Sequence, residues 1–254
     1  MAKKKSLYIT GQNESFELSR SKVDLFLQCP RCFYIDRSEK YRIARPSGPM
    51  SYIPTALDKL LKNEFDKYRK TQTVHPYCKE HGIDLIPYKH DEIEDWQNNR
   101  KGIKYHDTDT NFLLYGAIDD CWTDNNGKIF IADYKSTTVS YDKKTNEPLD
   151  ASLDEKGAPH KYWYKKQVEF YQWLFNKNGF DVSTTAYFVF CSAYYKNIEN
   201  FNEELKFKID ILSYEGDYSW VDKTILNIKK TLDNDKVPDQ NPNCKHCLYR
   251  NSGV

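Results

Sequence analysis

The alternation of apolar and polar positions divides the chain into elements. Over 55–69, Leu57, Leu60, Leu61, Phe65 and Tyr68 recur at helical spacing and predict an amphipathic helix. Upstream, Ser19 or Ser21 can cap a shorter helix carrying Val23, Leu25, Phe26 and Leu27, which Pro30 disturbs. The runs 112–122 and 128–135 read as two strands, joined by the hairpin turn sequence Asp124-Asn125-Asn126-Gly127. A second long helix is expected over 161–178, stopping near Gly179. A buried strand over 184–191, a half-exposed alternating strand over 205–212 and a final helix over 218–232 follow. Residues 1–18 are expected as a loose lead-in, 42–54 as an irregular connection and 136–160 as a polar loop. The stretch 70–110 is mixed, with one short helix near 91–98. This order predicts one mixed α/β domain in which helices flank a central β-sheet.

Composition removes several classes of protein. Of the 254 residues 15% are aromatic, too many for a disordered chain. No apolar run approaches the ~20 residues that a bilayer span needs. The basic start Met1-Ala2-Lys3-Lys4-Lys5 leads into no apolar signal region, so a cytoplasmic protein without a membrane partner is expected. The formal net charge is only +1, so any case for nucleic acid has to come from a site rather than from overall charge.

Polar residues in apolar company mark that site. At about 100° per residue, Glu64 falls inside the apolar stripe of the 55–69 helix, while Asp58, Lys62, Asp66 and Arg69 fall on a side expected to be solvated. A carboxylate so placed is either paired, or escapes to water, or binds a metal. In the strand 128–135, period-two alternation puts Asp133 and Lys135 side by side at the end of an apolar row. Asp119 shares a face with Leu113, Tyr115 and Ala117, and Asp120 points the other way. An ion pair at a sheet edge accounts for the Asp133 and Lys135 arrangement, and so does metal-assisted phosphodiester hydrolysis. Hard divalent ions take carboxylate oxygens, and a neighbouring lysine can orient the attacking water. On the 161–178 helix, Gln167 lies on the buried stripe with Tyr171 one turn later, where its amide could bond the lysine, a metal-bound water or a phosphate. Lys161, Lys165 and Lys166 form either a solvated basic face or a contact for a nucleic-acid backbone. His75, His81, His90 and His106 read as scattered solvent histidines.

Seven cysteines without an export signal do not suggest a disulfide framework. Cys121 and Cys191 lie in apolar runs and are expected as small core residues. Cys29-Pro30-Arg31-Cys32 and Cys244-Lys245-His246-Cys247 form two C-x-x-C pairs, one near each end of the chain. They either are unrelated turns or supply four thiolates to one metal centre that staples distant segments together. Zinc and an iron–sulfur cluster both accept four thiolates, and the spacing does not separate them.

Four motifs in order carry a resemblance. Gly116-Ala117-Ile118-Asp119, then Asp133-Tyr134-Lys135, then Gln167-Val168-Glu169-Phe170-Tyr171 resemble the G-x-[IV]-D, [DE]-x-K and Q-x-x-x-Y series of RecB-like nucleases in the PD-(D/E)XK superfamily. The opening Leu18-Ser19-Arg20-Ser21-Lys22 through Cys29-Pro30-Arg31-Cys32-Phe33 is similar to the start of that group. The resemblance implies a restriction-endonuclease-like core of a mixed sheet flanked by helices, over 55–232 of a single domain spanning 1–254. The cysteine-bearing segments 19–50 and 233–250 would then be its termini. It also implies a Mg²⁺- or Mn²⁺-dependent nuclease acting on DNA, with a helicase or other recombination, repair or defence proteins as partners. Glu64, Asp119 and Asp133 would bind the metal, Lys135 would assist the water, and Gln167 and Tyr171 would shape the site. Two departures stand out. Lys62 occupies the place of a helix histidine that many relatives use as a ligand, so Glu64 is expected to fill that role. Relatives with an iron–sulfur cluster place one cysteine early and three late, whereas this chain has two and two. A catalytically inactive nucleic-acid-binding module on the same fold is the alternative, and a structural or interaction protein a third.

Overall fold

The computed structural model describes residues 7–46, 48, 51–156, 158–196, 198, 200 and 202–251. Residues 1–6 of the expected lead-in, 47, 49 and 50 of the expected connection and 157 of the expected polar loop lie outside the described residues. The elements in chain order are β1 (Phe16–Ser19), α1 (Arg20–Gln28), α2 (Pro30–Arg37), α3 (Tyr52–Thr71), α4 (Pro76–Glu80), β2 (Ile86–Pro87), α5 (Ile93–Trp96) and β3 (Ile103–Asp107). They continue as β4 (Phe112–Gly116), β5 (Asp120–Thr123), β6 (Ile129–Thr138), α6 (His160–Lys177), β7 (Thr185–Ala193), β8 (Phe207–Glu215), α7 (Trp220–Asp233) and α8 (Lys245–Asn251). The fold is mixed α/β, with mixed sheets flanked by helices. Among the described residues no helix is long and apolar enough to cross a membrane.

The chain forms two compact units. The first gathers Met1–Pro49, Ile103–Gly116 and Tyr218–Val254; the second gathers Met50–Gly102 and Ala117–Asp217.

In the first unit a three-stranded sheet runs β1-β4-β3, with β1 parallel and β3 antiparallel to β4. Helix α1 stops at Cys29, whose extended backbone caps α2, and Pro30 takes the first helical position, where a missing N–H costs nothing. The lead-in is more ordered than its polarity suggests. Tyr8 is buried, edge-on to Phe16 and Phe112, and its backbone N–H bonds Arg37 at 2.8 Å.

In the second unit a five-stranded sheet runs β2-β5-β6-β7-β8. Strands β6 and β7 are parallel, and α6 lies in the long crossover that such a pair requires. Leu61 and Phe65 of α3 join the core on the face carrying Trp122, Ala132 and Tyr134. Helix α6 reaches the opposite face of β6, the one with Asp133 and Lys135. The expected strand 112–122 is broken, and its halves β4 and β5 belong to different sheets. At the break the backbone is satisfied locally: Ile118 N–H bonds the Trp96 carbonyl at 3.1 Å, and Gln97 Nε2 donates to the Asp119 carbonyl at 2.8 Å.

Candidate active site

The hairpin between β5 and β6 is set by its turn. Asp124 Oδ1 accepts from the backbone N–H groups of Asn126 and Lys128, both at 2.9 Å, and Gly127 takes φ +82°, which favours glycine. The resulting register pairs Asp120 with Ala132. Carried one step further, it brings Asp119 level with Asp133. Asp119 sits in the strand break, and its Oδ2 accepts the Tyr134 N–H at 2.9 Å. Asp133 is fully buried and ion-paired with Lys135 on the same strand face. Asp120 turns the other way, as alternation predicts. It accepts from Arg69 Nη2 at 2.5 Å, Tyr134 Oη at 2.8 Å, the Cys121 N–H at 2.8 Å and Trp122 Nε1 at 3.3 Å. Burial, followed by the charge of Asp120, pushes the Tyr134 phenol well above its ordinary pKa, so it stays a donor.

Lys135 is held from α6. Its Nζ donates to Gln167 Oε1 at 3.1 Å and lies 4.4 Å from the centre of the Tyr164 ring. Gln167 Nε2 donates in turn to Tyr171 Oη at 3.4 Å. The amide expected on the buried side of this helix thus meets the lysine. Of the three lysines considered for nucleic acid, Lys165 and Lys166 are ion-paired at 2.7 Å with Glu155 and Glu169, and Lys161 is half-buried. Both ion pairs compete with any phosphate contact.

Helix α3 is rotated from the expected picture. Asp58, Leu61, Lys62, Phe65 and Arg69 face the sheet, within an arc of about 100°. Leu60, expected in the core, is 63% exposed. The cause is electrostatic: Asp119 and Asp120 present charge to the helix, and its basic residues turn to meet them. Lys62 is only 17% exposed, with Nζ 2.9 Å from Asp58 Oδ2 and 3.5 Å from Asp119 Oδ1. Its ammonium is held above its ordinary pKa: burial opposes the charge, but Asp119 and then Asp58 outweigh it. The Asp58 carboxyl is also raised, by burial first and then by the charge of Asp119, with Lys62 opposing.

Glu64 therefore does not join the set. It lies about 200° around the helix from Lys62, its side chain is 43% exposed, and its Oε1 is 3.5 Å from His75 Nε2. The acidic residue that α3 brings to Asp119 is Asp58. Sequence reasoning missed it because an Asp58-x-x-x-Lys62 pair looks like a solvated salt bridge; the signal was its repetition as Asp66 and Arg69 two turns later. His75 is likewise not a solvent histidine. It is buried, stacks on Phe65 with centroids 4.1 Å apart, and caps α4 by accepting the Tyr77 N–H.

The four cysteines of the two C-x-x-C turns meet within the first unit. Their sulfurs all lie within 4.8 Å of one another and all four residues are buried. Among the described residues no other set of three or more His, Cys, Asp or Glu ligand atoms is so gathered, so Glu64, Asp119 and Asp133 do not close on one point. Cys121 and Cys191 are buried in the core of the second unit, as is Cys78.

Searches of curated proteins and of solved structures find no match. The family model of the PD-(D/E)XK nuclease superfamily matches residues 41–252. Covering most of the sequence, and taking in Asp119, Asp133, Lys135 and Gln167, this match shows that the chain belongs to the PD-(D/E)XK nuclease superfamily.

Proposed function

We propose that the protein is a metal-dependent deoxyribonuclease whose site is Asp119, Asp133, Lys135, Gln167 and Tyr171, with Asp58 and Lys62 completing it from α3. The observation that carries this reading is the connected chain from Asp133 to Lys135 to Gln167 to Tyr171, beside the carboxylate of Asp119. The donor set fits a hard cation. Burial, and after it the charge of Asp119, raises the Asp58 carboxyl, so a cation among these carboxylates would offset charge that the site itself leaves crowded. Asp119 and Asp133 would hold Mg²⁺ or Mn²⁺, two carboxylates being an ordinary protein contribution for such ions. When bound, the ion offsets charge on the scissile phosphate and lowers the pKa of a water.

The chain's own groups do the remaining work. Lys135 directs its ammonium at the attacking water or a phosphate oxygen. Gln167 fixes the direction of that ammonium, and Tyr171 fixes the amide of Gln167. The Tyr134 N–H and Lys62 hold the two oxygens of Asp119.

The test is cleavage of labelled single- and double-stranded DNA by the full chain with Mg²⁺ or Mn²⁺. Cleavage that requires the metal and falls by about 10²- to 10⁴-fold in Asp133→Asn and in Lys135→Ala is expected. DNA binding without turnover under every metal condition would replace this reading with that of a binding module.

A further inference from the structure

The four thiolates carry information about what they bind. Three close approaches are Cys29 Sγ to Cys247 Sγ at 3.6 Å, Cys32 Sγ to Cys244 Sγ at 3.7 Å and Cys32 Sγ to Cys247 Sγ at 3.8 Å. Each links one C-x-x-C turn to the other. A zinc ion with four sulfurs at about 2.3 Å has tetrahedral edges of about 3.8 Å, which is the spacing seen here. In a four-iron cluster each thiolate ligates its own iron outside a core of iron and sulfide, which keeps the thiolates apart. In a two-iron cluster two thiolates share an iron, but the bridging sulfides separate one pair from the other. Short distances across the pairs therefore leave room for one ion and none for an inorganic core.

The surroundings suit a closed mononuclear site. All four cysteines are buried, leaving no open position for a substrate. Two N–H groups point at sulfur: Cys32 N–H at 3.5 Å from Cys29 Sγ, and Arg45 Nη2 at 3.4 Å from Cys244 Sγ. One divalent ion on four thiolates leaves two negative charges, which the Arg45 guanidinium partly offsets. Cys29 also caps α2, so the same residue starts a helix and anchors the site.

We infer that Cys29, Cys32, Cys244 and Cys247 hold a single structural Zn²⁺ that fastens the first and last segments of the first unit, and not an iron–sulfur cluster. This inference stands whether or not the second unit cleaves DNA. The test is elemental analysis of the full chain purified without oxygen. One zinc per chain, with neither iron nor acid-labile sulfide and no visible absorption, is expected. Replacement of the zinc by Co²⁺ should give the intense absorption of tetrahedral cobalt–thiolate coordination. Cys78→Ser and Cys191→Ser should keep the metal, and Cys244→Ser should lose it. Because Cys244→Ser can also fail to fold, the cobalt spectrum of the unaltered chain is the deciding measurement. Stoichiometric iron and sulfide, a cobalt spectrum without thiolate coordination, or a folded chain that takes up no metal would each overturn the inference.

Discussion

Helix α3 meets the sheet twice with the same three parts. At one end Asp58, Lys62 and Asp119 come together; at the other, Asp66, Arg69 and Asp120. The Arg69 end is closed. Its guanidinium donates to Asp66 at 2.8 Å, to Asp120 at 2.5 Å and to the Tyr88 carbonyl at 2.5 Å, and Asp120 has no exposed surface. The Lys62 end is looser, with a 3.5 Å contact to Asp119 and part of each side chain reaching solvent. Burial and a rigid fork of donors make the first end a clamp. A point charge with spare carboxylate capacity leaves the second end open to an ion or a phosphate.

The comparison can be broken at its closed end first. Arg69→Ala leaves Asp120 buried and uncompensated, and should cost about 3–5 kcal/mol of stability, read as a fall in the denaturation midpoint. Lys62→Met keeps the apolar stem and should change stability by no more than about 1 kcal/mol. DNA cleavage should fall about tenfold in that variant, about 1.4 kcal/mol in the barrier, as Asp119 loses a partner. Equal destabilisation by the two substitutions would show that the ends do not differ.

The smallest effect is one of pH. Asp58 is raised by burial and by the charge of Asp119, so the folded chain takes up its proton more readily than the unfolded chain does. Its contribution to stability therefore grows as the pH falls through the raised value and shrinks as the pH rises again. As the pH falls toward that raised value, acidification should weaken the Asp58 and Lys62 pair and slow cleavage, with no loss of stability from this group. Burial opposes the charge of Arg69, but Asp120 and then Asp66 hold it above its already high ordinary pKa, so it keeps its charge throughout. A parallel loss of stability in the unaltered chain and in Asp58→Asn would assign the pH dependence elsewhere.

These contrasts also show what the sequence made legible. The chain from Asp133 through Lys135 to Gln167 and Tyr171 could be read because a period of two and a period of 3.6 each fix a face without knowledge of the partner. The helical period alone points Glu64 rather than Asp58 toward the sheet, because an apolar stripe does not say what the helix packs on; here carboxylates some 55 positions away meet its charged side, which faces inward. The break at Ala117 to Asp119 was hidden for a similar reason. Its backbone partners, Trp96 and Gln97, come from a short helix that no local pattern ties to the strand. The thiolate cluster was foreseeable because cysteine spacing constrains ligand geometry across any length of chain.

The discontinuity of the first unit has a consequence for synthesis. Its last segment, from Tyr218 onward, leaves the ribosome only after every residue of the second unit. Helix α7, which packs on α1 and α2, is therefore missing while Phe26 and Phe33 are already made. Until α7 arrives, α1 and α2 lack a helix they pack on, and transiently uncovered apolar surface of that kind is what chaperones recognise. The second unit, by contrast, has all its strands in hand before translation ends.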